Sequence, residues 1–242
     1  MTISDEQEME LLETTSETKR VAIGVILASL YAVLAILPLS AFIGAASIIS
    51  FAICIAPIIG IVLGPLRGFA FGLIGGVLAA ILLMVMPFNL YLIMPTVILG
   101  PAIAGFFTGL IVHRTSKIGP LLTAIFLVSI IGLFLVPRFE AWIFMTPYIL
   151  AVIVALGLQV VGIEFDLDKT GASKYLQILP FTFLGAMLDH SMMAMGSVYL
   201  LNLDAGLFIG IFPLMLIERT IATVVGAIVG FVVLTVLRSE LN

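Results

Sequence analysis

Eight apolar stretches follow one another along the chain, near residues 21–37, 47–64, 67–86, 96–113, 118–136, 142–162, 175–200 and 206–237. They are continuous and about 20 residues long, the length an α-helix needs to cross about 30 Å of hydrocarbon. A membrane β-barrel would show shorter segments alternating apolar and polar residues. The pattern predicts an all-α integral membrane protein, a polytopic helical bundle. The last two stretches exceed what one bilayer needs, so they are expected to tilt or project beyond it. Around Pro137-Arg138-Phe139-Glu140 two outcomes are open: residues 118–165 form two full spans or a partly re-entrant hairpin. Both keep the same parity.

Composition agrees with this class. Of 242 residues, 62% are hydrophobic and 10% charged, against about 45–50% and about 25% in an ordinary soluble domain. Mean hydropathy is +1.33. Too few charges exist to cover a soluble surface, and no basic patch for nucleic acid appears. The net charge of −4 belongs to one end: residues 1–18 carry six acids and no Lys or Arg, while from residue 19 on ten basic residues face eight acidic ones. Residues 1–18 are expected to be an acidic cytoplasmic tail, disordered or loosely helical, and residues 19–242 a single transmembrane helical domain. The tail lacks the basic start and short apolar run of a cleaved signal, so the first apolar stretch is expected to remain as a membrane helix. Cys54 stands alone among apolar neighbours and reads as a small buried hydrophobe.

Orientation follows from Lys and Arg. With the N-terminus inside and the segments alternating, the inner ends hold Lys19, Arg20, Arg67, Arg114, Lys117, Lys169, Lys174 and Arg238, and the outer ends Arg138 alone. That bias predicts an even number of crossings, a multi-pass protein of the cell membrane with both termini cytoplasmic. The internal polar loop Glu164–Lys174 is too short for a nucleotide-binding domain, and no Gly-rich Lys phosphate loop occurs. If ATP drives this protein, other subunits hydrolyse it.

Within lipid, helices associate where small residues let backbones approach. Three stripes have that spacing: Gly24, Ala28 and Ala32; Gly68, Gly72, Gly76 and Ala80; Ala222, Gly226 and Gly230. Spacing alone leaves open whether they pack inside the bundle or against another subunit. Leu63-Gly64-Pro65-Leu66-Arg67-Gly68 joins two segments with almost no loop, which predicts a tight antiparallel pair with Arg67 at the cytoplasmic surface.

At these residues the chain resembles the substrate-binding S components of energy-coupling factor (ECF) transporters. The Ala28-x-x-x-Ala32 pattern of the first span carries the resemblance, with Gly64-Pro65-Leu66-Arg67-Gly68-Phe69-Ala70-Phe71-Gly72, Gly185-Ala186-Met187-Leu188-Asp189-His190, and Pro213-Leu214-Met215-Leu216-Ile217-Glu218-Arg219 before a long helix. These cover residues 21–86 and 176–237. The resemblance implies a six-span core, here with an extra helical hairpin near 118–165. It implies a vitamin-like small-molecule substrate, a transmembrane coupling subunit docked on Gly24, Ala28 and Ala32, and ATPase subunits that bind ATP in place of this chain. It also implies a capping role for the loop Pro38–Ala46, and transport by toppling of the whole subunit.

Charged residues at mid-bilayer are costly and face a cavity or a partner. Asp189, His190, Glu218 and Arg219 qualify. One reading is an Asp189–Arg219 ion pair that clips two helices together; the other is a substrate pocket, and His190 or Glu218 could also relay protons. Asn89, Tyr91 and Trp142 join these four as candidate substrate contacts, with Tyr148, Asn202 and Asp204 on the same predicted outer face, although Trp and Tyr at a membrane boundary also serve as interfacial anchors. His113 beside Arg114 reads as a cytoplasmic boundary residue. No catalytic motif, metal cluster or cofactor signature appears. The sequence therefore favours a substrate-binding importer subunit, with a stand-alone proton-coupled transporter, a non-transport scaffold and, more remotely, a membrane lipid enzyme as rivals.

Overall fold

Proline and glycine set where the helices begin. The computed structural model describes residues 5–37, 50–85, 94–113, 118–161 and 172–241, and within these every regular element is helical. Helix α1 spans Asp5–Ala35. A 3-10 turn, Phe51–Cys54, leads into α2, Ala56–Leu63. Helix α3 covers Pro65–Met84, α4 Met94–Val112 and α5 Gly119–Arg138. A 3-10 connector, Phe139–Met145, bends at Ala141 and enters α6, Thr146–Val161. A single turn α7, Ser173–Leu176, precedes α8, Leu179–Tyr199, and α9, Ala205–Leu241. Pro57, Pro65, Pro120 and Pro180 stand in the first turns of their helices, where a missing N–H costs nothing.

Among the described residues, five stretches are long and apolar enough to cross a membrane: Glu17–Ala35, Pro65–Met84, Pro95–Val112, Gly119–Val161 and Ala205–Val236. Large apolar side chains such as Val25, Ile26, Ile125, Val128 and Ile153 stand exposed on the outside, while the interior holds Thr108, Thr123, Thr182, Ser191, Glu218 and Arg219. An exterior so rich in large apolar side chains is unlike a soluble protein's and is the build of a multi-pass membrane bundle. Residues 5–18, expected as a disordered or loosely helical tail, continue α1 as helix. Glu17 on that helix receives two hydrogen bonds from Arg67, at 2.6 and 2.7 Å.

Packing depends on absent side chains. Gly64 alone joins α2 to α3 with φ 81°, a left-handed backbone that glycine adopts without strain. It forms the tight pair expected at Gly64-Pro65. His113 reinforces it by a 2.8 Å hydrogen bond between Nε2 and the Ile61 carbonyl, one of the carbonyls that a helix end leaves without a partner. Along the α3–α4 seam, a Cβ on Gly68 would lie 2.6 Å from the Gly105 carbonyl oxygen, and one on Gly76 2.5 Å from that of Ile98. The Gly24, Ala28 and Ala32 stripe is buried within the bundle: Gly24 sits under the Phe71 ring and Gly75 against the Ala28 backbone, both on α3. This face, expected to receive another subunit, is an intramolecular seam.

Helices α5 and α6 pack against each other as a hairpin. α5, with 20 residues, is about 30 Å long and α6, with 16, about 24 Å. The end of α5 is latched to the α8–α9 turn: Arg138 Nε donates to the Leu203 carbonyl at 2.6 Å and its Nη2 to Asn202 Oδ1. Asp204 Oδ1 accepts the Leu207 amide at 3.1 Å and caps α9. Asn202 and Asp204 therefore serve the turn itself. Arg138→Ala is expected to lower stability by about 1–2 kcal/mol, read as an earlier thermal unfolding midpoint in detergent.

Candidate functional site

Helix α8 lies between its neighbours, and its residues 184–191 are all buried. It presents Asp189 and His190 to the centre of the bundle from mid-helix. The space for Asp189 exists because residue 100 is glycine: a Cβ there would lie 2.6 Å from Asp189 Oδ1. His190 Nδ1 shares a 2.8 Å hydrogen bond with the Tyr148 hydroxyl, and the two rings stack at 5.9 Å. Tyr148 is fully buried. The bend at Ala141 turns the start of α6 inward and carries Tyr148 to His190, away from the interfacial position the sequence suggests.

Glu218 and Arg219 stand in α9, the first wholly buried and the second 2% exposed. Adjacent helical residues point about 100° apart, and the two separate accordingly: Arg219 lines a cleft between α6, α8 and α9, and Glu218 does not. Arg219 lies within electrostatic reach of Asp189, Tyr148, Glu218 and Cys54, so groups from the first 3-10 turn, α6, α8 and α9 converge on it. Yet its Nε, Nη1 and Nη2 have no hydrogen-bond partner among the described residues. The expected Asp189–Arg219 clip is therefore not a direct contact.

The cleft has a volume of about 590 Å³, within the range of small-molecule sites. Its α6 wall includes Leu150 and Val154, its α8 wall Phe183, and its α9 wall Phe212 and Leu216. Three threonines also line it, and each spends its hydroxyl proton on its own chain: Thr146 on Ile143, Thr220 on Leu216, Thr223 on Arg219. The cleft is thus an apolar space with one guanidinium.

The other expected contacts fall elsewhere. Trp142 is on the outside, 55% exposed, while its neighbours Ala141, Phe144 and Met145 face inward. Asn89, Tyr91 and the loop Pro38–Ala46 lie outside the described residues. Asp189 and His190 sit in the core but do not line the cleft. Tyr148 and Gly100 were missed as site residues. A buried histidine requiring a partner, and a glycine beside Pro101 in mid-helix, were the available signals. No group of three metal-binding side chains occurs among the described residues.

Tyr148→Phe keeps the ring and removes the hydroxyl, leaving His190 Nδ1 buried without its partner. Such a loss costs about 1–3 kcal/mol. The expected result is a lower unfolding midpoint, with His190→Phe in the same background costing less than it does alone.

The chain matches no family model, no curated protein and no solved structure.

Proposed function

We propose that this chain is the membrane-embedded substrate-binding subunit of an ATP-driven importer of a vitamin-like small molecule, working with a transmembrane coupling subunit and separate ATPases. The observation that carries the reading is the 590 Å³ cleft with Arg219 unsatisfied in its wall. Burying an ion costs several kcal/mol even after relaxation, and a chain that tolerates this gains nothing unless another group arrives to meet the charge. The Gly64–Gly72 and Gly185–His190 patterns support the S-component assignment. The bias of Lys and Arg supports cytoplasmic termini. A coupling subunit would have to engage a surface other than the Gly24, Ala28 and Ala32 seam, which α3 covers in this conformation.

Purification from the native membrane in mild detergent, followed by mass spectrometry, tests this. The expected result is one small molecule in near-stoichiometric amount, with a coupling membrane protein and ATPases. A ligand-free protein without partners would overturn the proposal. The second reading, a proton-coupled transporter, draws on the buried Tyr148–His190 pair next to Asp189. Uptake by liposomes containing this chain alone, driven by a pH gradient, would favour it.

A further inference from the structure

We infer that the cleft takes an amphiphilic oxyanion, with its charged head on Arg219 and its apolar body between α6, α8 and α9, and that it admits this ligand sideways from the acyl-chain region of the bilayer. This deepens the substrate-binding proposal and rests on it for the transport role alone.

The head chemistry follows from what the cleft offers. A guanidinium provides five N–H donors in a planar fork, a geometry matched by the two oxygens of a carboxylate or phosphate. All three Arg219 nitrogens are buried and unpartnered among the described residues. Among the described residues no carboxylate lines the cleft, since Asp189 packs against Gly100 on α4 and Glu218 lies off the lining face. A cationic ligand would therefore meet a like charge. A ligand rich in hydroxyls would lose its hydration with little in exchange, because the lining threonine protons are already committed to Ile143, Leu216 and Arg219.

The body and the access route follow from the walls. Val154, Phe183 and Phe212 give an aliphatic and aromatic lining. Leu150, Leu216 and Val224 line the cleft and also stand 51%, 39% and 44% exposed on the outside of the bundle. That outer surface is apolar, so in a membrane it faces acyl chains. An amphiphile dissolved in the bilayer can slide between α6 and α9 without its body returning to water. Its head must reach Arg219 at mid-helix, and the guanidinium supplies the charge that makes this depth acceptable.

The test uses the full chain in phosphatidylcholine nanodiscs with three probes that each carry an unbranched ten-carbon chain, the carboxyl carbon included: decanoate, methyl decanoate and decyl phosphate. Binding is measured by equilibrium dialysis. Decanoate or decyl phosphate should bind at least tenfold more tightly than the neutral ester, and the tighter of the two identifies the head as carboxylate or phosphate. Arg219→Gln should abolish the preference for the acids. Val154→Phe, which narrows the cleft from α6 without touching Arg219, should weaken both acids while the unfolding midpoint stays near that of the wild type. Equal binding of acid and ester, no binding of either acid, or unchanged binding in Arg219→Gln would each overturn the inference. If a hydrophilic molecule co-purifies and decanoate does not bind, the importer reading survives and this one fails. If decanoate binds through Arg219 but no coupling subunit is found, the reverse holds.

Discussion

Gly72→Leu is expected to separate α3 from α4 and to destabilise the protein by about 3 kcal/mol or more. A Cβ built on Gly72 falls 2.5 Å from the Pro101 carbonyl oxygen, 2.8 Å from its carbon and 2.9 Å from the Ala102 Cα. All three are backbone atoms, so no rotamer change relieves the clash. Inserting extra atoms into a packed core costs about 1–3 kcal/mol when flexible side chains can yield. Here a whole helix must move. The consequence reaches the site, because α4 also packs on α8, and Gly100 on α4 provides the room for Asp189. Gly132→Leu in α5 is the control, since nothing lies within 4 Å of a Cβ at that position. Thermal unfolding in detergent should show an early, broadened transition for Gly72→Leu and a wild-type midpoint for Gly132→Leu. Equal midpoints would mean that the α3–α4 seam is looser than its glycines indicate.

The seam also shows what a sequence can and cannot convey. Apolar stretches about 20 residues long announce helices because a bilayer demands that length, and among the described residues the first, third, fourth, fifth and last stretches hold long apolar helices, the fifth running on with the sixth. The small-residue spacing of Gly68, Gly72 and Gly76 announced a contact. It did not name the partner, since any backbone with room satisfies the same spacing, and Gly24, Ala28 and Ala32 accordingly met α3. Arg219 was legible because a guanidinium in an apolar run has few tolerable places. The cleft was not legible: Leu150, Val154 and Phe183 resemble every other lipid-facing residue until the fold brings α6, α8 and α9 around one space. The same bend explains Trp142 and Tyr148. They are six residues apart and were both read as outer-face aromatics, yet one is exposed and the other buried.

Arg219→Met is expected to stabilise the empty protein by about 1–3 kcal/mol while abolishing its binding of amphiphilic acids. On insertion scales an arginine at the centre of a membrane helix costs about 2.5–3.5 kcal/mol, whereas large apolar residues contribute about −0.3 to −0.6. Methionine also fills much of the same volume with a flexible apolar chain. Against this stands the lost attraction to Asp189, which acts without a direct contact. The two partners are not symmetric. A buried carboxyl deprived of its counter-charge escapes most of the cost by binding a proton, and a guanidinium has no such escape. Removing the arginine therefore relieves more than it exposes. A helix clip predicts the opposite sign: breaking a directly paired buried ion pair costs about 3–5 kcal/mol. The unfolding midpoint of ligand-free Arg219→Met, measured beside decanoate binding, separates the two. A higher midpoint with lost binding identifies a cation held at the expense of stability for the sake of a ligand. A midpoint lowered by the full cost of a broken pair, with binding intact, identifies a structural clip and moves the search for the substrate to the buried Tyr148–His190 pair.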